Sequence, residues 1–539
     1  MMNRQRKPSI GLCLIGLLGL SLSGLSNIAQ AQLHQNLFIG NAKALALGNA
    51  VTADPPGIDS IHFNPSGLTK LKGRQYQMKG IFATVDIRGE FNSTPEYDAL
   101  LASAGLDDPL RNTESEVESL SILLPQIGVV DLPFAATVLG GYSYQPPGGD
   151  ITFATAVYSP LIFGYTRADD DDGRFQGQSL ALTRLTYFSP TVAFQVNDEW
   201  SVGASIGFSY MGFYLDIPLR APNPVVAAVS QLQNDVCVAG TVEFPIDLCG
   251  GDVSPFGVLA TIEGKLEETF SPSINIGVTW EPTPWFSWGF VYQSEAAMTL
   301  KGDITVTWGE EITGVINGIR GSLEQQGTTG QALIDLMGLE DSEQTTTGAT
   351  LNLTHPAHAA TGISVRVTPR WKVNIDVKWT EFSVWDQWEF KYDNEIPLLM
   401  IAGPLSQNMM NQEHLVFNRQ NHDVTTWAIG MEYQYSDALA LRIGYEPRTS
   451  PVPDDKRDFV LPLGDTTLIA IGLHYRTLDG GEWDFALAHV YSEQDIEANS
   501  STNINTLATD NLVYNPYAGI DVKTVVDSYM FELSYATEF

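Results

Sequence analysis

The chain has 539 residues, with 29 Lys and Arg against 63 Asp and Glu and a formal net charge of −34. So acidic a protein is a poor partner for nucleic acid, whose phosphates need Lys and Arg. Beyond the N-terminal leader no apolar run is long enough to form a spanning helix, and the mean hydropathy of −0.04 suits a chain in which apolar and polar residues alternate.

Residues 1–31 read as an export signal. Arg4, Arg6 and Lys7 precede an apolar run from Ile10 to Leu22, and Ala29-Gln30-Ala31 fits a signal-peptidase site. Loss of these three basic residues takes the charge from −34 to −37 in a mature chain starting at Gln32. The run is too short for a membrane anchor, and Leu12 before Cys13 fits a lipobox poorly. The next segment, 32–73, is rich in Ala, Gly and Asn and not strand-like. It contains Asp54-Pro55-Pro56-Gly57 and Asn64-Pro65-Ser66-Gly67.

From there on, period-two segments dominate. Trp200, Val202, Ala204, Ile206, Phe208 and Tyr210 alternate with Ser201, Gly203, Ser205, Gly207 and Ser209. Trp371, Val373, Ile375, Val377 and Trp379 alternate with Lys372, Asn374, Asp376 and Lys378. Such alternation means strands with two unlike faces. Fourteen strands are expected, near 75–88, 134–145, 151–163, 181–197, 200–216, 267–281, 285–300, 360–369, 371–391, 424–435, 438–447, 467–477, 481–492 and 525–539. Their connections alternate between short turns and the long segments 89–133, 164–180, 217–266, 301–359, 392–423, 448–466 and 493–524. Short periplasmic turns and long external loops are the rule of outer-membrane barrels, and a β-sandwich has no reason to obey it.

Two long segments carry further signals. Cys237 and Cys249, the only cysteines left after processing, lie in one polar, Pro-rich stretch and are expected to form a disulfide; no other metal ligands lie near them. Within 301–359, Ile312, Val315, Ile316, Ile319 and Leu323 fall at helical spacing, and Leu333, Ile334, Leu336 and Met337 form a second apolar cluster. These small helices either pack on neighbouring loops or line a greasy capture groove. The last strand places Tyr529, Phe531, Leu533, Tyr535, Thr537 and Phe539 on one face and Ser528, Met530, Glu532, Ser534, Ala536 and Glu538 on the other. A terminal Phe539 of this kind is what a barrel presents to lipid and to the barrel assembly machinery. The expected fold is all-β: a fourteen-stranded antiparallel transmembrane β-barrel over 74–539, with 32–73 as a hatch inside the lumen and small helices in the long external loops.

The runs Gly40-Asn41-Ala42-Lys43 to Gly48-Asn49-Ala50 and Ile61-His62-Phe63-Asn64-Pro65-Ser66-Gly67-Leu68 resemble the N-terminal hatch of the FadL family, although Ser66 stands where that family usually has Ala. The stretches 189–210, 368–386, 425–455 and 461–476 are similar to later parts of the same family. The resemblance implies an outer-membrane channel, monomeric and without a cofactor, for passive uptake of long-chain fatty acids or other hydrophobic compounds. It implies capture between the third and fourth external loops, passage by the hatch, and sideways release through a kink in the third strand. Ser159, Pro160 and Gly164 are the candidates for that lateral gate, unless they mark the strand's outer end. A carboxylate head group calls for a cation, and alternation turns Arg184, Arg366, Lys378 and Arg442 toward the lumen. Each has the alternative of pairing with lumen acids such as Asp376 or Glu446.

Enzyme chemistry has little support. His355 and His358 read as ordinary loop residues without a third metal ligand. Asp169 to Asp172 lacks the spacing of a calcium loop, and no nucleophile elbow is present. The rival reading is a general porin or structural barrel embedded in lipid and lipopolysaccharide. A porin has no use for the small-residue segment at 32–73.

Overall fold

The structure, a computed structural model, describes residues 37–237, 247–337, 339, 343–396, 399, 406, 410–462, 464–507 and 515–539, except the side chains of 336 and 337. The export signal and residues 32–36 of the expected hatch lie outside the described residues.

The wall is one closed antiparallel sheet of 14 strands. In chain order they are β1 (Arg74–Ser93), β2 (Thr113–Glu116 and Ala135–Tyr144), β3 (Ile151–Ala156 and Tyr158–Thr166), β4 (Ser179–Phe188 and Thr191–Gln195), β5 (Trp200–Leu219), β6 (Ala260–Thr283) and β7 (Phe286–Gln293 and Ala296–Trp308). There follow β8 (Gln344–His355 and His358–Arg366), β9 (Trp371–Thr380 and Gln387–Tyr392), β10 (His414–Asn418 and Val424–Gln434), β11 (Leu439–Arg448), β12 (Asp465–Arg476), β13 (Glu482–Ile496) and β14 (Ile520–Glu538). The last strand closes on the first from Gln75↔Glu538 to Ser93↔Ile520. Closure pairs the first and last strands, as lipid demands, since an unpaired backbone amide there costs several kcal/mol; among the described strands a stretch of wall between β2 and β3 is left unpaired.

The strands change character with height. Low on β5, Val202 and Ile206 face lipid while Ser201, Gly203 and Ser205 face inward. Higher up, Met211, Phe213, Leu215 and Ile217 face inward and Tyr214 and Asp216 outward. Phe213 reaches across the lumen to Trp388 (5.6 Å) and Phe390 (5.3 Å) of β9. Apolar side chains thus face lipid within the bilayer and face one another above it. Aromatic pairs mark the two edges of the band: Trp200–Trp280, Trp371–Tyr433 and Trp483–Tyr535 below, Phe188–Phe208, Phe208–Phe270 and Phe82–Phe134 above. Phe539 joins the lower edge beside Tyr76 and Tyr142.

This inversion corrects several expected boundaries. β7 runs on to Trp308 and β8 begins at Gln344, so much of 301–359 is wall. His355 and His358 flank a break within β8 and are not loop residues. The third external loop is likewise shorter than 217–266, since β5 ends at Leu219 and β6 starts at Ala260. The segment 89–133 contains the top of β1 and part of β2.

The wall is irregular at β2 and β3. Thr113–Glu116 pairs with the top of β1 and Ala135–Tyr144 with its base; between them the chain leaves as a separate hairpin, Leu120–Leu124 against Gly128–Leu132. In β3, Ile151–Ala156 pairs with both neighbours. Tyr158–Thr166 pairs with β4 alone, and its register jumps between Tyr158 and Leu161. Pro160 has no amide to donate there. The upper part of β3 therefore parts from Ala135–Leu139 of β2 and rejoins it only at the Ser119↔Thr166 bridge. Because β3 continues to Thr166, Ser159 and Pro160 mark a kink within the strand and not its end.

Candidate functional site

Residues 37–73 occupy the lower lumen as short helical turns. Cross-strand pairs of glycines in the wall receive them at three places. Gly203 and Gly277 are cross-strand partners, and a side chain at either would run into Asn64, Pro65 or Ser66. The Gly289–Gly362 pair lies at Thr52–Ala53, where a side chain on Gly289 would meet the Thr52 carbonyl. The Gly430–Gly444 pair lies at Leu47–Gly48. Inward glycines weaken a strand, and here they admit backbone against backbone. In the first notch Asn64 Nδ2 donates to the carbonyls of Thr52 (2.8 Å) and Val278 (3.2 Å), while its Oδ1 accepts from the Ser66 hydroxyl (2.7 Å). Asn64, Pro65 and Ser66 thus fill this notch, and Gly67 behind them lies against Pro55 and Ser60.

Polar ties hold the rest. Asp59 accepts from Asn41 and Gln77, each at 2.8 Å, and from Lys79. Asp376 takes the backbone amide and hydroxyl of Thr52 at 2.8 and 2.7 Å. At the periplasmic mouth an alternating chain of charge runs from Lys43 to Asp54 (3.0 Å), Lys372 (2.7 Å), Glu432 (2.9 Å), Arg442 (2.8 Å) and on to Asp484. Burial pushes the Asp54 carboxyl up, but Lys372, Lys43 and Lys70 overcome it and hold its pKa far below the usual carboxylate range. A carboxyl so depressed contributes stability that is complete above its unfolded pKa near 4 and is lost only as pH falls through the depressed value. The hatch is therefore expected to stay seated at pH 4.5. Asp54→Asn, which takes the hatch carboxylate away from Lys43 and Lys372, is expected to raise bilayer conductance already at pH 7; an unchanged, silent barrel would show that this clasp does not hold the hatch. His62, buried in the hatch beside Tyr158, has its pKa pushed down to about 3 by burial, with His358 and Lys79 adding to the effect, so it is neutral at pH 7.

Above the hatch the lumen is filled by an apolar column that includes Leu182, Phe213, Leu300, Leu351, Phe390 and Phe417. Arg184 stands at its foot, 1% exposed. Its Nη1 donates to Ser271 Oγ and Met298 Sδ, both at 3.1 Å, and its Nη2 has no partner. The other largest buried arginines each meet a carboxylate: Arg167 with Asp171 (3.8 Å), Arg220 with Asp108 (2.6 Å), Arg419 with Asp458, and Arg448 with Glu446 (2.6 Å). Arg184 meets none among the described residues. It also sits at the kink: Leu161 is its cross-strand partner, and Ser159 Oγ donates to its carbonyl at 2.6 Å. His355, whose Nδ1 is unpartnered, follows Leu353 on the inward face of β8, and Leu353 pairs with Met298. Beside the kink a narrow apolar cavity runs from Phe38 of the hatch past Val85 and Met530 to Phe163, Gly164 and Ile122.

The remaining expected site residues lie elsewhere. Arg442 is committed to Glu432 and Asp484, and Lys378 to Glu446 (2.7 Å). Arg366 is exposed at the periplasmic mouth. The fourth external loop does form two helices, α1 (Glu310–Glu324) and α2 (Thr328–Met337). Ile316, Ile319, Leu323 and Ile334 of these helices pack on one another. Ile312 is half-buried, Val315 is buried and Leu333 is exposed; the side chains of Leu336 and Met337 lie outside the described residues. Cys237 and Cys249 are joined as a disulfide. An external groove lies between the helix Pro95–Ala104 of the first loop and Pro224–Cys237 of the third, lined by Tyr97, Leu101, Leu106, Pro222, Ala227 and Phe256. Sequence reasoning missed this groove, the inward glycine pairs, and the hatch ties of Asp54, Asp59 and Thr52. The glycine pairs left a signal, recurring on the inward phase of the strands.

A family model described as outer membrane protein transport protein (OMPP1/FadL/TodX) matches residues 20–539. The crystal structure of a Pseudomonas aeruginosa FadL homologue is similar at 17% identity, covering 93% of this chain and 99% of its own, with a TM-score of 0.64. The Pseudomonas putida toluene transporter TodX is similar at 13% identity, covering 93% of this chain and 99% of its own, with a TM-score of 0.57. The Ralstonia pickettii toluene transporter TbuX gives 15% identity, 92% and 98% coverage, and a TM-score of 0.53. At such identities the likeness is one of fold. No curated protein sequence matches the chain significantly. With a closed 14-stranded barrel and a family match over nearly its whole length, the chain belongs to the OMPP1/FadL/TodX family of bacterial outer-membrane transporters of hydrophobic compounds.

Proposed function

We propose that this protein carries long-chain fatty acids passively across the outer membrane. The tail is caught in the groove between the first and third external loops. It descends the apolar column until its carboxylate meets Arg184, then leaves sideways beside the kink in β3 into the outer leaflet. Each methylene moved out of water contributes about 0.8 kcal/mol, so capture and transfer run downhill without ATP or a cofactor. The filled lower lumen keeps water and ions from following, which disfavours the general porin.

The observation that carries this reading is Arg184. A guanidinium stays charged at any physiological pH, and burying a charge without a counter-charge costs several kcal/mol. A ligand carboxylate at the unpartnered Nη2 would repay that cost with a charge-assisted hydrogen bond. TodX and TbuX are toluene transporters, and toluene has no anionic group to offer such a residue. The test compares binding of a long-chain fatty acid and its methyl ester to the purified barrel, alongside uptake of the labelled acid and a labelled neutral hydrocarbon by cells with and without the gene. At least tenfold tighter binding of the acid is expected. Equal affinities, with uptake of the hydrocarbon alone depending on the gene, would refute the carboxylate reading and leave a neutral cargo.

A further inference from the structure

We propose that the hairpin inserted in β2, residues 120–132, is a hinged lid on the outer face of the gap between β2 and β3; this rests on the sideways-release reading above. Three observations carry it.

The hairpin lies outside the wall. Leu123 N donates to Thr183 Oγ1 (3.3 Å), a side chain at Gly164 would strike the Ser121 carbonyl, and one at Gly212 would meet Leu123. Thr183, Gly164 and Gly212 point away from the lumen, because their chain neighbours Leu182, Phe163 and Phe213 belong to the inner column. The hairpin also fills the gap. Leu120 and Ile122 face opposite to Ser121 and Leu123 and pack with Ala135, Leu139 and Ile162 at the rim and with Leu37 and Phe38 of the hatch. The cavity beside the kink is thus roofed by the hairpin from outside and floored by the hatch from inside. In this state no alkyl chain can pass without moving one of them.

Third, the hairpin is weakly attached. Its two strands form a sheet of their own, joined to the wall through the Ser119↔Thr166 bridge, the Leu123 N–Thr183 Oγ1 bond and a small hydroxyl cluster in which Thr166 Oγ1 meets Ser121 Oγ (2.6 Å) and Asp131 Oδ1 (3.2 Å). A lone two-stranded hairpin is marginal in stability, and polar contacts near a surface exchange readily with water. Its tip residue Ile127 is 73% exposed. The hairpin can swing about its roots at 118–119 and 133–134 while the β2 segments on either side stay paired with β1.

The test is a reversible lock. Ser121→Cys with Thr166→Cys brings two thiols to positions whose hydroxyls now touch. Oxidation is expected to lower uptake of labelled fatty acid at least tenfold and reductant to restore it, while wild type under the same reductant is unaffected. The purified locked barrel should still bind fatty acid and show the heat-dependent gel shift of a folded barrel. A second variant removes Ser159 and Pro160, straightening β3 to close the gap without touching the hairpin. If this variant is blocked while the locked hairpin transports normally, the lid is refuted and sideways release stands. If both transport normally, sideways release falls and the lid with it. Failure of the two cysteines to cross-link in a folded barrel overturns the closed position assigned to the hairpin.

Discussion

Filling the notch at Gly203 and Gly277 with leucine is expected to turn a silent barrel into an ion-conducting one. The two glycines face each other across β5 and β6, and any Cβ on either overlaps the hatch at Asn64, Pro65 or Ser66. The hatch cannot yield by a small shift, since Asn64 is held to Thr52 and Val278 and Ser66 to Thr279 at 2.5 Å. Overpacking costs about 1–3 kcal/mol per site, and leucine suits a strand better than glycine, so the strain falls on the hatch and not on the wall. The population of displaced hatch should rise roughly ten- to hundredfold for each site. Single-channel recording in planar bilayers reads this directly. Gly80→Leu is the control: a side chain there meets only the Thr137 carbonyl at 4.0 Å, and it should leave the barrel closed. Deleting residues 32–67 should reproduce the open phenotype. A double leucine variant that folds and stays silent would mean that the hatch does not seal the lumen.

The wall was legible in the sequence because the bilayer imposes one rule on it. Outward residues must be apolar and inward ones can be polar, so period-two alternation revealed all fourteen strands and the short turns between them. Above the bilayer the same strands invert the rule. Lys301, Asp303 and Thr305 face out while Leu300, Ile304 and Val306 face in, and an alternation whose phase has flipped reads as the end of a strand. His355 and His358, at the break between the two segments of β8, therefore read as loop residues in the sequence. The ties of the hatch were illegible for another: Asp54 meets Lys372 and Thr52 meets Asp376, each more than 300 positions away in the chain. Alternation turned Arg184, Arg366 and Arg442 toward the lumen alike. Their burial and partners, which distinguish them, are properties of the fold.

That distinction predicts opposite signs for one substitution. Arg184→Leu is expected to weaken binding of a long-chain fatty acid by about ten- to a hundredfold, the worth of roughly 1.5–3 kcal/mol for hydrogen bonds to a charged group. Binding of the methyl ester should hold or improve, because the ester gains nothing from the guanidinium. The same variant should melt at a higher temperature without ligand. Replacing a buried charge that lacks a counter-charge with an apolar side chain removes a desolvation cost and leaves no carboxylate behind, whereas Arg442→Leu takes the guanidinium from both Glu432 and Asp484 and leaves Lys372 and His474 as their remaining partners. Arg442→Leu should therefore keep fatty-acid affinity and lose hatch stability, seen as leak. Arg184→Lys retains the charge without the planar fork and should fall between wild type and leucine. Lower affinity for the acid together with a raised melting temperature is a pair of effects that a merely structural arginine does not produce. Loss of stability in Arg184→Leu with unchanged affinity for the acid would place the head group elsewhere in the lumen.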